Sequence, residues 1–307
     1  MNTPKAIIQK QAIDIHSVIE LVEDSLTSAN SKRAYHKALN DFLTWYIDQG
    51  QPKLTKAVIQ RYRTLLIESG QSPATVNLRI SAIRKLANEA ADNGYLPQTI
   101  ANSITRVKGI RMEGVRIGNW LNKKQAQELI NAPDTQSLKG LRDRAILAVM
   151  IGSGLRRSEV TALTFDNIQQ RDGRWVIVDL IGKHNRVRTV PIPSWVKVAI
   201  DEWAAVAERG SGCIFRRINK GGHISGDKMT PQAIRDVVIQ YTSRLGYPVA
   251  AHDLRRTFAK LAHKGGAGLD QIQLSLGHAS IKTTEKYLGV TQNLTDAPCD
   301  RLGLHLE

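Results

Sequence analysis

Four side chains between residues 252 and 287 could together do chemistry: His252, Arg255, His278 and Tyr287. His252 and Arg255 are three apart, so on a helix they share a face. Leu254, Phe258, Leu261 and Ala262 give that helix its apolar stripe, and Gly265-Gly266 stops it. Ile272 and Leu276 mark a second short helix, with Gly277 as its C-terminal cap and His278 at the mouth of the turn. Ser280 can cap a third helix carrying Thr284, Tyr287 and Leu288. On that helix Ile281, Thr284 and Leu288 form the expected inward face, with Tyr287 beside it. Two imidazoles, a guanidinium and a phenol are thus offered without an accompanying carboxylate cluster. A phenol is a poor nucleophile at its free pKa of about 10. It attacks well when a base takes its proton and cations stabilise the anion it attacks. Arginine binds phosphate oxygens in a bidentate manner. The set therefore suits attack by Tyr287 on a phosphodiester.

Composition points the same way. The chain has 307 residues, a net charge of +15 and 42% hydrophobic residues. The length suggests two domains, and the charge favours a polyanionic partner, most simply nucleic acid. The two cysteines, Cys213 and Cys299, lack the spacing of a zinc site or a disulfide framework. No stretch reaches the roughly 18 apolar residues of a membrane span, and no secretory signal pattern opens the sequence. A cytoplasmic protein is the expectation. No phosphate-binding glycine loop and no cluster of acidic residues suited to two metal ions is present, so no cofactor is expected.

The elements that must position the site follow in order. Ile13, Val18, Leu21 and Val22 begin a helical pattern. Tyr35, Leu39, Phe42 and Tyr46 line one face of the next helix, whose N-terminal end carries Lys32, Arg33 and Lys37. Positive charge opposes the helix dipole there, which either a phosphate partner or plain solvation of a basic turn explains. Val58, Tyr62, Leu65 and Leu66 mark a third helix. Ser72 and Pro73 open a fourth, with Val76, Ile80, Ile83 and Leu86/Ala87 inward and Asn77, Arg79, Arg84 and Lys85 outward. The result is a four-helix N-terminal domain with a basic face, over residues 15–106. Residues 107–119 hold three glycines and three basic residues without apolar period and are expected to be a linker.

The second domain is expected over 120–290. A buried helix around Leu141, Ala145, Ala148 and Val149 is broken by Gly152 and Gly154, and Ser158 can cap the helix that follows. Arg156 lies in the tight turn between them. WVIVDL and RVRTVPI read as two strands joined by a turn holding Lys183, with Arg186 and Arg188 adding charge. Val196, Ile200 and Trp203 mark another helix, a basic glycine-rich loop follows, and Thr230-Pro231 opens a helix leading to His252.

These motifs together resemble those of the tyrosine recombinase (phage integrase) family. The resemblance rests on the H-x-x-R box at His252 and Arg255, the L-G-H box at Leu276-Gly277-His278, and Tyr287 nine residues later. Gly154-Leu155-Arg156-Arg157-Ser158-Glu159-Val160 is similar to the family's G-L-R-x-S-E-L box, and Gly182-Lys183 to its G-K element, with His184 at a position where glycine is frequent. The resemblance implies a fold that is mainly α with a small β-sheet: a helical core-binding domain followed by a mixed α/β catalytic domain. It implies site-specific DNA recombination through a 3′-phosphotyrosyl intermediate, with Arg156, Lys183, His252, Arg255, His278 and Tyr287 catalytic and Glu159 supporting them. Double-stranded DNA is the implied partner, met through Lys32, Arg33, Lys37, Asn77, Arg79, Arg84, Lys85, Arg186 and Arg188. A tetramer on two DNA sites is implied, as is a tail over 291–307 that docks on a neighbouring protomer or stays loose. The simpler Xer-like or mobile-element enzymes are the nearer comparison. A type IB topoisomerase-like relaxing enzyme and a DNA-binding protein without chemistry are the competing readings. Supercoil relaxation without strand exchange would mark the first, and a missing catalytic residue the second.

Overall fold

The computed structural model describes residues 15–111, 118–182, 186–208 and 210–289, and these divide between two compact units, 1–114 and 115–307.

Among the described residues, the first unit has five helices: α1 (Ile15–Asp24), α2 (Ala29–Asp48), α3 (Lys56–Glu68), α4 (Pro73–Asp92) and α5 (Gln98–Thr105). Helix α4 is its axis and packs against the other four. The Ser72 hydroxyl accepts from Thr75 N at 3.2 Å, and Pro73 supplies a first helical residue that needs no donor. Val76, Ile80, Ile83, Leu86 and Ala87 are all buried, as their spacing predicts. Each large aliphatic side chain so buried contributes about 1.5–3 kcal/mol. They meet Leu39 and Phe42 of α2 and Ile59 and Tyr62 of α3 in one core. Of the two adjacent leucines that mark α3, Leu66 is buried and Leu65 is 42% exposed.

Helix α5 is an addition to the four helices expected. The chain beyond it is also more ordered than a linker. Val107 is fully buried, and Asn77 holds Ile110 by two bonds, accepting from its N at 2.7 Å and donating to its O at 3.0 Å. Arg63 donates to Lys108 O at 2.7 Å. Residues 107–111 thus belong to the first unit.

The second unit opens with α6 (Lys123–Asn131) and α7 (Leu138–Ser153). Helix α7 is buried almost all round from Ala145 to Ser153, as a central helix must be. It packs against α6, α8 (Arg157–Ala162), α9 (Ser194–Val206), α10 (Pro231–Arg244) and α11 (Ala251–Lys264). Gly152 does not break α7 but lies within it, where a Cβ would meet Val196 of α9 at 2.3 Å. Gly154 ends the helix at φ +63°, a left-handed conformation that favours glycine. Asp143 is wholly buried, accepting from Arg142 Nη2 at 2.7 Å and from the Tyr241 hydroxyl at 3.1 Å.

Beside the helices lies an antiparallel sheet of β1 (Ile168–Arg171), β2 (Arg174–Ile181) and β3 (Val187–Pro191), in that order. Strands β2 and β3 are the two expected, and β1 is new. The β2–β3 register is irregular between Ile177 and Leu180, where Asp179 takes φ +55°. A two-residue hairpin, β4 (Arg217–Ile218) and β5 (Ile224–Ser225), forms inside the basic glycine-rich loop. Helices α12 (Leu269–Leu276) and α13 (Ile281–Leu288) complete the unit by packing on α11. Residues 291–307, and with them the expected exchanged tail, lie outside the described residues. Among those described, no helix is long and apolar enough to cross a membrane.

Candidate active site

The site forms where the ends of α7, α11 and α12 converge. Arg156 is the N-cap of α8, two residues earlier than the Ser158 cap expected from residue type. Glu159 makes that cap work from the third helical position. Its Oε2 accepts from Arg156 N at 2.8 Å, and its Oε1 accepts from Arg156 Nη1 at 2.8 Å. An arginine side chain cannot accept a bond from the helix amides, so the carboxylate fixes the turn instead.

Glu159 has a second cation. Arg188 of β3 donates to its Oε1 at 3.0 Å and its Oε2 at 2.9 Å, and to Ser275 O at 2.9 Å. The Glu159 side chain is only 3% exposed. Burial alone would push its carboxyl up, but the bonds from Arg188 and Arg156 outweigh it and hold the pKa below the ordinary value. One buried carboxylate therefore joins the α7–α8 turn to the sheet and, through Arg188, to the last turn of α12.

Arg255 is 1% exposed and crosses the site from α11. It donates to Gly154 O at 2.6 Å and to Leu276 O, so it fastens the two turns that carry Arg156 and His278. Burial first, then the neighbouring Arg156, lower its pKa to about 10, which leaves it charged at neutral pH. Gly277 adopts φ +62°, and a Cβ there would sit 3.0 Å from Arg188 Cδ. His278 follows, with its Nδ1 3.0 Å from the hydroxyl of Thr284, which is wholly buried on α13. Burial, then Arg255 and Arg156, lower the His278 pKa to about 4.

Tyr287 stands over this arrangement. Its ring meets those of His252 and His278 edge to face, with centroids 5.9 Å and 5.3 Å away. The Arg256 guanidinium carbon lies 5.0 Å from its ring centre. The phenol oxygen is buried and has no hydrogen-bond partner among the described residues. An orphaned buried hydroxyl costs about 1–3 kcal/mol, so it marks a position meant for a group from outside. Burial raises the phenol pKa, while Arg255, Arg256 and Arg156 oppose the rise. The His252 pKa is lowered by burial and by Arg255, so its imidazole is neutral and can accept a proton.

Five of the six residues expected to be catalytic thus come together: Arg156, His252, Arg255, His278 and Tyr287. Lys183, in the β2–β3 turn, lies outside the described residues. Ile281, expected inward on α13, is 40% exposed, while Thr284 and Leu288 are buried. Composition and spacing gave no sign of Thr284, Asp253 or Arg256 as parts of the site. The one signal available was the doubled arginine after Leu254.

The residues expected to face DNA divide into two groups. Arg188, expected to face DNA, lies instead inside the protein, where it is bound to Glu159 and Ser275 O. Arg79 is held by Asp41 at 2.6 Å and by the Tyr62 hydroxyl at 2.9 Å. Arg84 donates to Val107 O, and Asn77 is committed to Ile110. These four hold the fold together because each finds a partner far away in sequence within the protein. Lys32, Arg33 and Lys37 stay at the surface in light pairings: Lys32 with Asp24 at 3.6 Å, Arg33 with Asn30 at 2.5 Å, Lys37 with Asp41 at 3.3 Å. Lys85 pairs with Glu89 at 3.2 Å, and Arg186 is exposed.

Known proteins share this organisation. The phage integrase family profile matches residues 119–293, and the phage integrase N-terminal SAM-like domain matches residues 19–94. Tyrosine recombinase XerC of Chlamydia muridarum (strain MoPn / Nigg) is 30% identical over 248 residues, covering 78% of this chain and 74% of that protein. Tyrosine recombinase XerD of Vibrio cholerae serotype O1 is 28% identical over 273 residues, covering 85% and 86%. The fold is that of the XerH site-specific recombinase bound to its palindromic difH substrate, at a TM-score of 0.68 and 17% identity over 90% of this chain and 81% of that one. A lambda integrase dimer on a COC′ core site aligns at a TM-score of 0.66 and 16% identity, covering 89% and 94%. Both the helical unit and the unit that holds Tyr287 are accounted for by these matches, and the chain belongs to the phage integrase family of tyrosine recombinases.

Proposed function

We propose that Tyr287 is the nucleophile with which this site-specific recombinase cuts and rejoins DNA. The observation that carries the assignment is its buried phenol oxygen, left unpartnered between two imidazoles and beside three guanidinium groups. In the first step the phenol oxygen bonds to the scissile phosphorus and the bond to the 5′-oxygen breaks. His252, neutral at the working pH, takes the phenol proton. Lys183 protonates the departing 5′-oxygen, a role supported by the resemblance alone. Arg156 and Arg255 each spend part of their donors on the protein and direct the remainder to the non-bridging oxygens, where charge grows in the transition state. His278 gives a hydrogen bond from Nε2, which requires that Thr284 donate to Nδ1. The product is a 3′-phosphotyrosyl link and a free 5′-hydroxyl. Attack on that link by the 5′-hydroxyl of a second duplex reverses the chemistry and completes an exchange.

Surface cations supply affinity. Lys32, Arg33, Lys37, Lys85 and Arg186 are the side chains we assign to DNA phosphates, so binding weakens steeply with salt. Recombination between two sites further requires several copies, and a tetramer on paired sites is our expectation, acting on cytoplasmic DNA. The test is strand exchange between two labelled duplexes that carry a site selected for binding. Recombinant strands of mixed label support the reading. Relaxation of supercoils without recombinants would assign the protein to the relaxing enzymes instead.

A further inference from the structure

We propose that Arg256 is a positioning residue for the nucleophile: held by Asp253, it braces the Tyr287 ring in its attacking orientation and supports the phenolate as the proton leaves. The inference rests on the assignment of Tyr287 as nucleophile, and it adds a residue that the motif-based site lacks.

Three contacts confine Arg256. Its guanidinium carbon lies 5.0 Å from the centre of the Tyr287 ring. Its Nη1 donates to Asp253 Oδ1 at 3.3 Å, while Asp253 Oδ2 accepts from Ala250 N at 2.9 Å at the start of α11. Asp253 is thereby fixed by the helix end and passes that orientation to the arginine. On another side the backbone at Gly118 approaches so closely that a Cβ would lie 1.3 Å from Arg256 Nη1. The side chains of Arg256 and Asp253 are 17% and 18% exposed, so solvent screens this group only in part.

A cation over an aromatic face is attracted to the ring, and more strongly once the ring carries negative charge. Other charged and titratable groups face the phenol as well. Arg255, His252 and Asp253 reach it from α11, Arg156 with its partner Glu159 from the α7–α8 turn, and His278 from the α12–α13 turn. Glu285 and Lys286, on its own helix, are exposed. Among these groups, Arg255 and Arg156 are assigned to the phosphate, and Arg256 sits over the ring. Its effect on reaction is therefore expected through the phenol, with little effect on DNA affinity.

The test places 3,5-difluorotyrosine at position 287 of the full chain, which brings the phenol into an accessible titration range. Absorbance then reads its ionisation with Arg256, with Arg256→Gln and with Arg256→Lys. The expected result is an upward shift on the order of one pH unit for Arg256→Gln, with Arg256→Lys between it and the parent. Single-turnover cleavage by the otherwise natural chain should fall about tenfold in Arg256→Gln at fixed pH, in step with that shift. It should also recover when the fluorinated residue replaces Tyr287. A phenol whose titration is the same in all three proteins would overturn the proposal, as would a cleavage defect that fluorination leaves untouched. The titration needs no DNA, so its result stands even if no cleavage occurs, and absence of cleavage in the parent would count against the assigned function instead.

Discussion

Glu159→Gln removes one negative charge from the centre of the site and leaves the shape almost unchanged. The carboxylate accepts four bonds, from Arg156 N, Arg156 Nη1 and both terminal nitrogens of Arg188, at 2.8–3.0 Å. A glutamine amide keeps one oxygen, and its NH2 group must face a donor. At 3% exposure, water cannot make up the loss. Breaking a buried pair by removing one partner costs about 3–5 kcal/mol, because the other charge remains. The retained oxygen reduces this, so we expect a loss of about 2–4 kcal/mol. Urea unfolding followed by tryptophan fluorescence measures it, since Trp120, Trp175, Trp195 and Trp203 all lie in the second unit and only Trp45 in the first. The pH dependence gives a second check. The folded-state pKa of Glu159 is depressed, so its stabilisation is present above the unfolded value of 4.5 and is lost as pH falls through the lower folded value. The gap between parent and Glu159→Gln should therefore close at acid pH. A loss below about 0.5 kcal/mol at neutral pH, the range of ordinary surface substitutions, would refute the buried-pair argument.

Three further outcomes follow from the geometry. Tyr287→Phe deletes a buried hydroxyl that has no partner among the described residues, so its melting temperature should equal or exceed that of the parent by calorimetry, whereas most core truncations lower it. Thr284→Val keeps the packing and removes the partner of His278 Nδ1; at the roughly 1 kcal/mol of one hydrogen bond, single-turnover cleavage should drop about fivefold with DNA affinity unchanged. His278 has a pKa depressed to about 4 against a model-compound value of 6.5, so the unfolded chain binds the extra proton between these values and stability falls as pH drops through that window. His278→Gln should flatten that part of the stability curve in acid titrations followed by circular dichroism.

Where local chemistry decided structure, the sequence could be read. The α4 stripe, the Ser72, Thr230 and Ser280 caps, and the Gly154 and Gly277 stops all depend on side chains within a few residues of one another. Helix α5 is short and follows directly on Pro97, a residue that reads as a break, and β1 is IQQR, which has no alternation. The arginines failed for a different reason. Arg79 finds Asp41 at a separation of 38 residues, Arg84 finds Val107 O at 23, and Arg188 finds Glu159 at 29. Residue type argues for exposure at each, and only the tertiary fold supplies the partner that permits burial. Arg156 as an N-cap is the same lesson on a shorter scale, since Glu159 supplies the acceptor that the cap residue lacks. The site itself was legible in its ordered motifs, while the groups that orient it, Thr284, Asp253 and Arg256, depend on how helices meet.

The most direct test of the central claim is to trap the covalent intermediate and locate it. The full chain would be incubated with nicked duplexes that carry its binding site and lose the 5′-hydroxyl strand on cleavage. The adduct would be digested and its nucleotide-bearing peptide sequenced by mass spectrometry. The account predicts a phosphodiester link on Tyr287, on the 3′ side of the cut, and no adduct from Tyr287→Phe. A link on any other residue, or an adduct that persists in Tyr287→Phe, would contradict it.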